Sequence, residues 1–213
     1  MRVLVYTAVF GGHDAPKSHV AQNISVDYAY FSEADSRYLP EQVRALPDRL
    51  IAKYYKVWPY ALPNYGEYDY VVWMDGSVVL RLPNSLETLI SYCQRGYALF
   101  SHPERDCIYD EADVCMSLEK CRDQPIQQQV DAYRAEGYPA HQGLYECSLI
   151  VREPQRDFRQ LDAAWLAEIY KWSNRDQLSF PYVLWKPAIE VDVIGLNLWD
   201  NDYIHHVPHK RNS

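Results

Sequence analysis

Tyr68-Asp69-Tyr70-Val71-Val72-Trp73-Met74-Asp75-Gly76-Ser77 is an apolar, strand-like run that ends abruptly on an acid, a glycine and a hydroxyl. A run of Val, Trp and Tyr with so little polar interruption reads as a strand buried on both faces, and such strands belong mainly to parallel sheets covered by helices. Ligands of those sheets bind beyond the carboxyl ends of the strands, which puts Asp75 at a binding edge. Gly76 lacks the Cβ that would hold a phosphate or metal away from the backbone. Asp and Gly are also ordinary turn residues, so this stretch alone fits a plain turn after a core strand equally well.

Outward from that strand, 213 residues suit one α/β domain with a sizeable core, taken as residues 1–213. Tyrosine is abundant at 19 residues and tryptophan at 6, a composition that suits sugars and bases as well as a core. The net charge of -8 argues against a general nucleic-acid surface or an anionic membrane as partner. The opening run Val3–Thr7 is too short for a secretory signal, and no apolar stretch approaches the about 20 residues that span a bilayer, so a cytoplasmic location is expected. Cys93, Cys107, Cys115, Cys121 and Cys147 are odd in number and form no CxxC pair. Neither a disulfide framework nor a zinc site is indicated by that spacing.

Periodicity gives the rest of the layout. Strands are expected at Val3–Val9, Tyr28–Phe31 and Tyr97–Phe100, each ending on polar residues, and further strands at Glu146–Val151 and Ile189–Ile194. Helices are expected over 47–57, 85–94, on either side of Pro125, and over 161–172 and 176–184. Strands alternating with helices predict an α/β layer sandwich with a mostly parallel central sheet. No GxGxxG or GxxxxGK[ST] loop is present, which disfavours an ordinary dinucleotide or P-loop enzyme.

Four constellations could carry chemistry. Asp75 and Ser77 offer a carboxylate and a hydroxyl to one hard cation such as Mg²⁺ or Mn²⁺, which would bridge a diphosphate. Arg49, Lys53 and Lys56 recur at i, i+4 and i+7, placing three cations on one helical face where they would neutralise phosphates or pair with neighbouring acids. Ser173-Asn174-Arg175-Asp176-Gln177 loosely matches a capping box and also sets a carboxylate at a helix start. His205, His206 and His209 in the tail could complete a metal site begun by Asp75, or could serve no site at all.

Taken in order, Arg49 to Lys56, Trp73-Met74-Asp75-Gly76-Ser77, His102 to Glu111, and Arg175 to Phe180 resemble the glycosyltransferase-like family of plant and bacterial proteins that includes the plant mucilage-related and TOD-type proteins. That resemblance spans most of the chain and implies a GT-A, Rossmann-like fold, in which an Asp-x-Asp element binds a divalent metal and the diphosphate of a nucleotide sugar. This chain has Ser77 in place of the second acid, and His206 is the residue that could compensate.

The resemblance further implies Phe10, Gly11 and Asp14 near the base and ribose, Arg49, Lys53 and Lys56 near the diphosphate, and Ser77, Arg175 and Gln177 around the donor. Asp75 and His206 would hold Mn²⁺ or Mg²⁺, Asp176 and Glu146 would be the catalytic carboxylates, and His102, Arg105 and Glu111 would face the acceptor. The expected reaction moves a sugar, from a UDP-sugar by preference and with retention favoured, to a hydroxyl of a glycan or glycoconjugate in polysaccharide biosynthesis. A metal-dependent hydrolase and a catalytically silent nucleotide-sugar-binding module are the alternatives.

Overall fold

The two-faced apolar strands read from the sequence assemble into one six-stranded sheet, seen in a computed structural model that describes residues 1–12 and 16–207. The strands are β1 (Arg2–Ala8), β2 (Ser25–Phe31), β3 (Tyr70–Met74), β4 (Val78–Leu80), β5 (Tyr97–Ser101), β6 (Tyr145–Arg152), β7 (Asp192–Ile194) and β8 (Ile204–His206). The helices are α1 (Glu41–Arg44), α2 (Asp48–Val57), α3 (Ser85–Ser91), α4 (Ile108–Ser117), α5 (Ile126–Ala135), α6 (Arg159–Lys171) and α7 (Asp176–Trp185).

The sheet order is β2-β1-β3-β6-β5-β7, with β1 parallel to β2 and β3, and β5 parallel to β7. The expected α/β layering with a mostly parallel sheet is therefore what the chain adopts. Only β6 runs against its neighbours β3 and β5, and this reversal brings its first residues to the carboxyl ends of the others. Strand alternation divides the interior in two. Leu4, Tyr6, Val71 and Trp73 pack with the helical layer that contains Tyr55, Trp165 and Phe180, whereas Val3, Val5, Val72 and Met74 pack with Leu86, Leu89 and Ile90 of α3.

Two local departures from the expected layout shape the binding edge. Between β5 and β6 the register slips from Leu99↔Ile150 to Phe100↔Glu146, so β6 bulges just after Glu146, over Cys147 to Leu149. Bulges of this kind re-aim side chains and favour places next to functional sites. No strand was expected in the histidine-rich tail, yet Ile204–His206 pairs antiparallel with Val78–Leu80 in a separate two-stranded sheet. Three residues per strand are too few for a periodic signal to emerge from sequence. All five cysteines are buried and unpaired. Among the described residues, no helix is long and apolar enough to cross a membrane.

Candidate active site at the strand ends

Helix α2 starts after Pro47, whose fixed φ suits the position before a first helical turn, and it carries Lys53 and Lys56 towards the end of β3. Lys56 is only 2% exposed, a burial that an ammonium tolerates only when paired. Its Nζ lies 2.7 Å from Asp176 Oδ2 and 3.3 Å from Asp75 Oδ1, and Lys53 Nζ lies 2.6 Å from the same Asp176 oxygen. Burial alone would raise the Asp176 carboxyl, but Lys53 and Lys56 outweigh it and hold the group well below the usual carboxylate range. Burial likewise works against charge on Lys56, and Asp176 with Asp75 reverses this, holding the ammonium above its ordinary value. Lys53 moves the other way, lowered by burial in spite of Asp176.

Asp176 is the first residue of α7, where the helix dipole also favours an anion. Its backbone carbonyl accepts a bond from Trp165 Nε1 at 3.1 Å, which fixes the start of the helix. The capping-box reading of Ser173 does not hold. Arg175 is the N-cap, without a side-chain cap bond, and the Ser173 hydroxyl donates to Gln129 Oε1 at 2.6 Å.

Asp75 follows β3 in a tight turn, its N–H donating to Ser148 O at 2.7 Å and its carbonyl accepting from Val78 N at 2.8 Å. Trp73 Nε1 donates to Asp75 Oδ1 at 2.7 Å, while Oδ2 has no partner among the described residues. With its side chain 38% exposed, Asp75 is the member of the cluster most open to a ligand. Ser77 is buried, and the pairing of β4 with β8 brings its Oγ to 3.4 Å from His206 Nδ1. The Trp199 ring, 57% exposed, lies 4.4 Å from the His206 ring. One open carboxylate oxygen, a hydroxyl and an imidazole fit a hard cation that takes its other ligands from phosphate and water.

Glu146 stands at the bulge, accepting a bond from Gln177 Nε2 on α7. Burial pushes its carboxyl up to about 7, with Asp75 and Asp176 adding to the rise against Lys56. Arg175 donates to Gln177 Oε1 at 2.9 Å and to Glu111 Oε1 at 3.2 Å, so the loop before α7 is held from both sides. Glu111, expected to face an acceptor, is 2% exposed and instead accepts from Arg105 Nε at 2.8 Å as well as from Arg175. His102 sits beside this pair, its Nδ1 accepting the N–H groups of Glu104 and Arg105 at 3.2 and 3.1 Å. His102 and Arg105 thus surround Glu111 as one clamp on Arg175.

A cleft of about 290 Å³ opens over this cluster, lined by Arg49, Lys53, Lys56, Asp75, Gly76 and Arg175. Phe10 reaches its wall but is 4% exposed and stacked on Tyr55 at 5.9 Å, so its ring belongs to the core. Gly11 adopts φ 77° in a turn whose N–H donates to Glu33 Oε1 at 2.6 Å. Asp14 and His209 lie outside the described residues.

A second hollow, of about 380 Å³, shares Asp75 and Gly76 and runs under residues 16–19, past Thr7, His19, Tyr28 and Tyr30. Sequence reasoning did not single these residues out, although the Tyr28-Ala29-Tyr30 alternation puts two rings on one face of β2. Of the other expected residues, the structure brings Lys53, Lys56, Asp75, Asp176, Glu146, Arg175 and Gln177 into one connected network. Ser77 and His206 adjoin it through Gly76.

Comparison with curated proteins yields no match. Among solved structures, the chain is similar to the WbbM bifunctional glycosyltransferase in its apo form, with a TM-score of 0.44 and 11% sequence identity. That likeness covers 84% of this chain and 36% of that one, so the chain corresponds to well under half of the larger protein. A sequence profile for the TOD1/MUCI70 glycosyltransferase-like domain matches residues 62–210, a span that includes Asp75, Glu111, Glu146, Asp176 and His206. With well over half of its length matched, the chain belongs to the TOD1/MUCI70 glycosyltransferase-like domain family.

Proposed function

We propose that this domain transfers a sugar from a nucleoside-diphosphate sugar, a UDP-sugar by preference, to a hydroxyl of a glycan or glycoconjugate. The observation that carries the proposal is that Lys53, Lys56 and Asp75 line a cleft at the strand ends of a glycosyltransferase-like domain, with both lysines paired to the buried Asp176.

Cleaving the bond between an anomeric carbon and a phosphate leaves negative charge on the departing diphosphate, and preorganised cations stabilise it. Asp176 pairs with both ammonium groups and so holds Lys53 and Lys56 in position at the cleft for that charge. Arg49 on the cleft wall adds a third cation. Asp75, with Ser77 and His206 beside it, would hold Mn²⁺ or Mg²⁺. Such a cation supplies further neutralisation of the diphosphate.

Glu146 is the group best suited to take the proton of the acceptor hydroxyl. Its carboxyl, raised to about 7, matches the operating range of a general base, and Gln177 fixes its direction. Asp176 has its charge engaged by two ammonium groups and is correspondingly a poor nucleophile towards the sugar. This favours direct displacement over the retention expected from sequence.

Thermal-shift measurements against UDP, GDP and UDP-sugars, each with and without Mn²⁺, test the proposal, because a ligand of the native state raises Tm. A shift with one nucleotide and its sugars supports it. No shift with any nucleotide overturns it, and a shift with metal alone points to a hydrolase. Donor binding with no transfer to any hydroxyl acceptor identifies a silent binding module.

A further inference from the structure

Cys107, Asp110 and His141 come together at the start of α4, and none of the three bonds to Lys53, Lys56, Asp75 or Asp176. Cys107 is the N-cap of α4, Asp110 lies in its first turn, and His141 belongs to the loop that leads into β6. Their ligand atoms, a thiol sulfur, a carboxylate oxygen and an imidazole nitrogen, all lie within 4.8 Å of one another. Tetrahedral zinc with bonds of about 2.0–2.3 Å sets its ligands about 3.3–3.8 Å apart. Asp110 and His141 are exposed, so small side-chain rotations close the difference, whereas Cys107 is buried and fixed.

A fourth residue makes the group more than a chance encounter. Asp106 Oδ1 lies 2.8 Å from His141 Nδ1, so with the proton on Nδ1 the carboxylate orients the ring and Nε2 keeps its lone pair for a metal. Carboxylate–histidine–metal arrangements of this kind fix the tautomer and raise the basicity of the ligand. Thiolate, imidazole and carboxylate together suit a borderline-soft ion.

We propose that Cys107, Asp110 and His141 form a zinc site, with Asp106 positioning His141. The site fastens the start of α4 to the loop that carries the chain into Glu146, and leaves its fourth position to water. Cysteine spacing gave no hint of it, because only one cysteine takes part and the histidine arrives from 34 positions further along the chain.

Cobalt titration followed by absorption tests the site, run in the Asp75→Ala background so that the hard-cation site proposed above contributes nothing and the two proposals fail separately. One equivalent of Co²⁺ should produce a thiolate-to-cobalt charge-transfer band that Zn²⁺ abolishes. His141 has φ 55°, a conformation glycine adopts without strain, so His141→Gly removes the imidazole and keeps the backbone. That variant and Cys107→Ser should lose the band, and Asp106→Asn should weaken binding about 10–100-fold. Absence of the band in the parent protein, or an unchanged cobalt affinity in folded His141→Gly, overturns the proposal.

Discussion

Lys56 Nζ lies 2.7 Å from Asp176 Oδ2, joining a buried lysine of α2 to the first residue of α7 across the end of the sheet. Two long-separated segments are thereby locked into one charged cluster, and the arrangement is internally balanced only while both acids, Asp75 and Asp176, remain ionised. Isolated buried charges are costly, so neither lysine would persist here without them.

Asp176→Asn should therefore destabilise the fold by about 3–5 kcal/mol, the usual cost of leaving a buried partner unpaired. Urea unfolding measures this. Because the folded carboxyl is held below the ordinary value, its contribution is complete at neutral pH and is lost as pH falls below about 4. The wild type should lose stability in that acid window faster than the variant.

Glu146 should set the acid limb of the rate profile. As a base it must be ionised, so kcat/KM should rise as pH increases through about 7. Glu146→Gln should lower the rate about 10²–10⁴-fold and remove that limb. In stability the sign is opposite: a raised carboxyl pKa favours the folded state at low pH, and the benefit is lost as pH rises from the ordinary glutamate value to about 7. Comparing wild type and Glu146→Gln by denaturant titration at several pH values reads this difference.

Glu111→Gln should cost about 3 kcal/mol, because Arg105 and Arg175 both lose their buried carboxylate. The same change frees Arg175, which bonds to Gln177 and through it steadies Glu146. A drop in Tm accompanied by a lower kcat is the expected pair of outcomes, measured by calorimetry and by initial rates. A fall in rate at unchanged Tm would instead place Glu111 in contact with substrate.

Much of this arrangement was legible in the sequence because it rests on short-range patterns. The Tyr70–Met74 strand announces itself by its unbroken apolar run, and Lys53 and Lys56 share a face by helical spacing alone. What sequence did not carry depends on contacts between distant segments. The reversed direction of β6 is set by pairing with β3 and β5, and the bulge after Glu146 is a property of that pairing. Glu111 reads as one more surface acid of an amphipathic helix until Arg105 and Arg175 close over it. The β4–β8 pair that brings His206 to Ser77 is too short to show a period.

The central claim is that Asp75, with Lys53 and Lys56, holds the diphosphate of the donor. Isothermal titration of UDP into wild type and Asp75→Asn, each with and without Mn²⁺, tests it most directly. Binding to the wild type should strengthen with Mn²⁺, and Asp75→Asn should weaken the metal-supported binding about tenfold or more, a loss of about 1.4 kcal/mol. Equal UDP affinity in the two proteins with Mn²⁺ present would contradict the account.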